Sequence, residues 1–599
     1  MAVFSRFSRW ASSRQKEATA SGNDVQAEFV SDGEYKYTVG LGGNNSGPSY
    51  QEVSGAPVES NSPLGYSVGS ITILFLNITS AILYLLGSPG LSYFYWVIGF
   101  LLSASSLAVY LEYASYFPNR SGAEVVYLEQ AYPRPRYLFP TTFAMWYLIL
   151  GFSSSNCIVL ANYLFQINGS PPSSWGLKGV AIAAWTVTIL FLVFSTRISY
   201  WVSNVVGVVK VITLTFIAIT GLVVLGGHTR VEDPRANFRN SFAGTSDSPY
   251  GLATALVYIY FSYGGYNNAC NVVNEVKVSF YPRTFNPSFD LTHEQDPIRQ
   301  VKVYSSISLL IVASLYILAN TAYLAAVPLD ELKASQQIAA SLFFQKVFGS
   351  SGAVKGLNFL IALSAFGNLL SANLGLSRIT RECGRQGVLP YPKFWASTWP
   401  FGTPLGPYLV KYVLTVIMIL APPAGDAFNF TVSLQLYPNA IYNVFMAAGI
   451  YLVRWRRKKA NLPQPQFKSW HVVILFNILV NLYLVVMPWY PPPGGANAGN
   501  FSFWYGTANV TGIGIIILCG IYYYLWIHGI PRWRGYRIRQ ETVSLADGGS
   551  LTHRLVQVPI NQLDEWDRTH DPLGRDLDHG VESGSNSEGI TSIKDEAKV

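Results

Sequence analysis

Twelve apolar runs of bilayer-crossing length constrain this chain more than any other feature, because each has to satisfy its backbone polar groups internally as a helix. Their edges fall at roughly 67 to 90, 92 to 116, 140 to 163, 179 to 196, 204 to 226, 249 to 271, 304 to 327, 354 to 376, 404 to 421, 428 to 452, 470 to 488 and 507 to 528. The fold class expected is all-α and polytopic. Only 12% of the 599 residues are charged, about half the fraction usual for soluble domains. The net charge of +8 is concentrated in short loops between runs, so it gives no indication of nucleic acid as a partner. Cys157, Cys270, Cys383 and Cys519 are scattered, without the spacing of a disulfide framework or a zinc site, and no cofactor or metal is expected.

Loop charge predicts the orientation. If the N-terminus is cytosolic, the inner loops receive Arg134 and Arg136, Arg197, Arg299 and Lys302, Arg378 to Lys393, the run from Arg454 to Lys459, and Arg532 to Arg539. The outer loops hold fewer basic residues, so both termini are expected inside. Residues 1–66 read as a disordered cytosolic tail, 67–528 as the membrane domain and 529–599 as a second cytosolic tail. Sequons at Asn168, Asn500 and Asn509 lie on or near the opposite side.

The sixth run breaks its own pattern at Phe261-Ser262-Tyr263-Gly264-Gly265-Tyr266-Asn267-Asn268. Non-helical backbone at membrane depth is tolerated where it lines a protein cavity, and interrupted helices of this kind form substrate sites in secondary transporters. Tyr263, Gly264 and Gly265 are the leading ligand-facing candidates, since glycine allows close approach to bare N–H and C=O groups. Asn267 and Asn268 join them as possible polar ligands, and Tyr258, Phe261 and Tyr266 would wall an apolar pocket. The alternative is a glycine-kinked packing helix. In the first run, Asn77 and Thr79 are the corresponding substrate-binding candidates, although no glycine lies between Gly69 and Gly87.

Glu112, in Tyr110-Leu111-Glu112-Tyr113 toward the cytosolic end of the second run, is the most buried-looking acid. Such a carboxylate is costly and is a functional candidate by default. It would exchange a proton or, alternatively, pair with the basic inner loop through Arg120. Glu275, beside Lys277, is a second proton or gating candidate. Asn156 in the third run, with Asn368 and Ser371 in the eighth, would complete a cation or proton path. The loop from Arg378 to Trp399 would act as an inner gate or as an ordinary positive-inside loop.

From Gly65 to Asp571 the chain resembles the amino acid, polyamine and organocation transporter superfamily, and within it the fungal methionine permease group of L-type amino acid transporters. The resemblance is carried by Trp96 to Phe117 with Arg120-Ser121-Gly122-Ala123-Glu124, by Gly151 to Asn156, by Phe261 to Lys277, by Asn320 to Tyr323, by Ser364 to Asn368, by Gly384 to Trp399 and by Leu434 to Asn439. It implies twelve transmembrane helices in a five-plus-five inverted repeat with discontinuous helices one and six. It also implies a plasma-membrane symporter that imports methionine or a similar neutral amino acid with a proton by alternating access. The partners implied are that amino acid, the coupled proton and the lipid bilayer. Lys16, Lys594 and Lys598 are candidate targets for endocytic ubiquitination machinery.

Two departures from the family pattern stand out. Roughly nine or ten residues of a glycine-containing first-helix motif are missing after Ile78, which puts the carboxylate site in question. Val278 to Gln295 are additional; they read as a retained short intron or as a cytosolic loop tolerant of Pro282 and Pro287. The shortened first helix keeps open a transport-deficient sensor. A channel would want polar rings along several helices, and no nucleophile, base and orienter assemble from sequence spacing into an enzyme site.

Overall fold

The computed structural model describes residues 27–32, 35–40, 82–117, 123–169, 173–227, 229, 231–265, 297–335, 339–349, 351–423, 426–459, 465–497, 502–544 and 551–570. Asn77, Thr79, Arg120, Asn267, Asn268, Glu275, the insertion 278–295 and Lys16, Lys594 and Lys598 lie outside the described residues. Among those described, nine helices are long and apolar enough to cross a membrane, and Leu405–Leu420 is a shorter apolar helix. The sixth run supplies a 14-residue half-helix, Pro249–Ser262. Together they make a polytopic helical bundle.

Local chemistry explains several helix boundaries. Ser88 accepts from the Leu91 amide and Pro89 opens the second span, Pro89–Tyr116; Ser248 and Pro249 do the same for the sixth. The fourth and fifth spans, Ser174–Phe194 and Thr196–Leu225, share one residue: Ser195 ends the first helix and caps the next through the Ile198 amide. Where lipid would lie, the fifth span presents Ile212, Ile219 and Leu222. Its opposite side packs on the seventh span, Pro297–Ala326, and on the eighth, Ser351–Arg385. That approach is close because Gly221 faces Ala322, where a Cβ would come within 2.2 Å of the Ala322 Cβ. Small residues at helix contacts provide such packing in a bilayer, where burying apolar surface between helices yields little.

Several boundaries differ from the sequence reading, the fifth and seventh helices starting earlier at Thr196 and Pro297, and three others bear on the packing. The eighth helix continues past 376 to Arg385, since no breaker intervenes before Gly387 (φ +77°) and Ile379 and Cys383 prolong its buried face. Arg381 and Arg385 are therefore on a helix, with Arg381 Nε donating to the Ala396 carbonyl (3.0 Å) and Arg385 pairing with Glu382 (2.6 Å). The first contact fastens the helix end to the segment that follows it, and the second is a pair within the helix's last turn. The tenth helix runs Ala427–Lys459 and includes Pro438, which packs against Gly512. The third span is two helices, Leu138–Leu150 and Ser154–Asn168, separated at Gly151, Phe152 and Ser153.

Beyond the twelfth span the chain forms an antiparallel hairpin, Tyr536–Ser544 with Leu551–Pro559, followed by the short helix Leu563–Thr569. The hairpin reaches the end of the bundle where the eighth helix stops: the Leu555 amide donates to the Gln386 carbonyl (3.2 Å), and Tyr137 Oη donates to Gln540 Oε1 (3.1 Å). Trp566 stacks on His570 at 3.8 Å within its own segment. Asn509 belongs to the start of the twelfth helix, buried, with its amide donated to the Pro488 carbonyl (3.1 Å), so that sequon is a packing asparagine.

Candidate functional site

The half-helix Pro249–Ser262 stops where Tyr263 and Gly264 turn and Gly265 takes φ +112°, a conformation open to glycine. Helix ends leave carbonyls without partners. Here Tyr316 Oη donates to the Ser262 carbonyl at 2.8 Å. Tyr263 is wedged between the second and seventh spans, its ring 5.7 Å from Trp96 and 5.2 Å from Tyr316, and its hydroxyl donates to the Trp96 carbonyl (3.4 Å). This alters the role expected for Tyr263. Its side chain anchors the break, and Gly264 and Gly265 beside it are half-buried. One turn earlier, Tyr260 Oη lies 3.1 Å from Asn443 Nδ2 and 3.4 Å from Ser106 Oγ, and Asn477 donates to Ser105 and Ser106. The second, sixth, tenth and eleventh spans are thereby joined by one polar chain.

The third-span break is a second interruption at membrane depth. Gln435 Nε2 donates to the Leu150 and Phe152 carbonyls (2.9 and 2.6 Å), Lys411 Nζ to the Gly151 carbonyl (3.1 Å), and the Ser153 amide to Thr415 Oγ1 (3.1 Å). Ser153 Oγ also meets Asn373 on the eighth span. Backbone released from the helix is thus bound by side chains from the ninth and tenth spans, as a non-aqueous interior requires, while the eighth span meets the Ser153 side chain. Asn156 lies one turn into the following helix, half-buried.

Asn368 and Ser371, both expected on a cation or proton path, take different partners. Asn368 Oδ1 accepts from the buried Lys210 Nζ of the fifth span at 3.2 Å. Ser371 Oγ bonds back to the Gly367 and Asn368 carbonyls of its own helix. Among the described residues no carboxylate pairs with Lys210 or Lys411. Both lysines escaped the sequence reading, which counted basic residues in loops; an ionisable residue within an apolar run was itself the signal that would have found them.

Glu112 is fully buried and saturated. Its Oε1 receives Arg454 Nε (2.8 Å) and Tyr116 Oη (3.0 Å), and its Oε2 receives Arg454 Nη2 and the Ser469 amide, both at 2.8 Å. The partner is Arg454 of the tenth helix, in fork geometry; Arg120, the loop residue named for the pairing alternative, lies outside the described residues. The Ser469 hydroxyl continues to the Ala108 carbonyl (2.8 Å). Glu112 therefore clamps adjoining ends of the second, tenth and eleventh spans.

A cavity of 30 Å³ beside the half-helix, bordered by Tyr250, Thr254, Tyr260, Ser433, Tyr437 and Asn509, has room for water and not for an amino acid.

The amino acid permease family model matches residues 62–518. The chain is similar to the high-affinity methionine permease of Saccharomyces cerevisiae, with 32% identity over 82% of this chain and 83% of the relative. It is also similar to the low-affinity methionine permease of the same yeast (26% identity; 79% and 83% covered). The b(0,+)-type amino acid transporter 1 of Mus musculus is 26% identical over 62% of this chain and 69% of its own.

Proposed function

The chain belongs to the amino acid permease family, and from that premise we propose that it imports a neutral amino acid, methionine or a close analogue, by proton symport and alternating access at the plasma membrane, with both termini in the cytosol. The observation that carries the reading is the half-helix that stops at Ser262, followed by the turn Tyr263-Gly264-Gly265 against Trp96 and Tyr316. A helix C-terminal end attracts cations and an N-terminal end anions, and a zwitterionic amino acid presents both. In this reading the α-ammonium lies against the carbonyls ending the half-helix, held in place by Tyr263 and Tyr316. Asn267 and Asn268, with Asn77 and Thr79 of the first run, would complete the site.

Proton coupling is supported by Lys210 and Asn368. An amine at membrane depth, bonded to an amide oxygen of another span, gains or loses a proton with a change in the attraction between those spans. Asn156 and Ser371 would line the same side of the bundle, and Glu275 would act at the inner mouth. Glu112 would take part through gating, since opening between the second and tenth spans requires its clamp on Arg454 to release.

Radiolabelled methionine uptake, with and without a proton gradient, tests the reading in transporter-deficient cells expressing this chain at matched surface abundance. A version lacking Val278 to Gln295 and carrying a restored glycine-containing first-helix segment is run beside it. Gradient-dependent uptake by either version supports symport. Binding of methionine without uptake by either would favour the sensor that the shortened first run keeps in view.

A further inference from the structure

The third-span break has the construction of a cation site. A helix ends at Leu150, and its last carbonyls, which carry partial negative charge, turn toward neighbouring spans. Interrupted helices in transporters use such carbonyls to coordinate ions. Gln435 occupies the Leu150 and Phe152 carbonyls, and the Gly151 carbonyl faces the Lys411 ammonium at 3.1 Å. Lys411 is 1% exposed, and its Nζ lies 5.8 Å from the centroid of the Tyr147 ring, a second cation-attracting group. The geometry around Gly151 is shaped to this ammonium, because a Cβ at that position would stand 3.0 Å from Lys411 Nζ and 2.6 Å from the Tyr147 carbonyl.

We infer that the third-span break is a monovalent-cation site whose resident ion is the protein's own Lys411 ammonium, and that shortening this side chain opens the site to a soluble primary alkylammonium. The tether fixes the occupant permanently. The third, eighth, ninth and tenth spans, joined here through Ser153, Asn373, Lys411, Thr415 and Gln435, then hold together whatever ions the medium contains. The inference concerns the bundle and stands apart from the identity of the cargo.

The test uses the full chain in lipid nanodiscs, with thermal unfolding followed by tryptophan fluorescence for the native protein, Lys411→Ala and Lys411→Arg. Lys411→Ala is expected to melt about 5 °C lower, and n-butylammonium chloride is expected to restore the midpoint saturably. Tetramethylammonium chloride at equal ionic strength and 1-butanol at equal concentration are expected to restore nothing, because one lacks N–H donors and the other lacks charge. The native protein should not respond to butylammonium, and Lys411→Arg should melt near it. Unchanged melting of Lys411→Ala, or restoration by butanol equal to that by butylammonium, overturns the inference. If Lys411→Ala is retained inside the cell, its surface abundance with butylammonium in the growth medium is the readout; a rise absent with tetramethylammonium supports the site, and no rise overturns it.

Discussion

Replacing Glu112 with alanine strands the Arg454 guanidinium and the Ser469 amide at the junction of three helices. The carboxylate receives four hydrogen bonds, two of them the fork from Arg454, and the side chains of the pair are 0% and 11% exposed. Breaking one side of a buried pair costs about 3–5 kcal/mol, most of it from the charge left behind. Arg454→Ala should cost a similar amount, since Tyr116 and the Ser469 amide alone would then face the carboxylate. Removing both side chains together, as Glu112→Ala with Arg454→Ala, removes the stranded charge as well. That double variant should lie well above the sum of the single losses, leaving a coupling of about 2–3 kcal/mol. Thermal unfolding of the four proteins in nanodiscs reads the cycle directly. Additive losses would refute the clamp, and a Glu112→Gln protein that melts like the native one but imports without a proton gradient would return Glu112 to proton exchange.

Two further substitutions probe the site. Lys210→Met should leave the bundle assembled, because the side chain volume is kept and the Asn368 amide can rotate to another partner, yet uptake should lose its dependence on the proton gradient; gradient-driven accumulation persisting in this variant would remove Lys210 from the coupling. Gly265→Ala places a Cβ on backbone at φ +112° and should cost about 1 kcal/mol or more while lowering uptake several-fold at matched surface abundance; uptake at the native rate would show that the turn is not the cargo's contact.

Much of the bundle was legible in the sequence because a bilayer enforces it: the apolar runs coincide with the helices from the second span onward, and the Gly264-Gly265 pair marked the sixth-span break where the helix indeed stops. The third-span break was not legible. Gly151 is one glycine among many, and what interrupts that helix is a set of partners 260 to 285 residues away. Glu112 was conspicuous as a buried acid, but its partner lies 342 residues along the chain. Tyr263 was read as ligand-facing from its neighbours in sequence, whereas Trp96 and Tyr316, distant in the chain, determine where its ring goes.

The hairpin Tyr536–Ser544 and Leu551–Pro559 gives the bundle a dependence on the order of synthesis. The Gln386 carbonyl, just beyond the eighth helix, receives the Leu555 amide, and Gly387 is covered by Leu555 itself, where a Cβ would meet the Leu555 carbonyl at 3.1 Å. A ribosome completes every span before it makes Leu555. Until that strand emerges, the end of the eighth helix carries an unfilled seam, which only a chain extended past its last span as far as Leu555 can close.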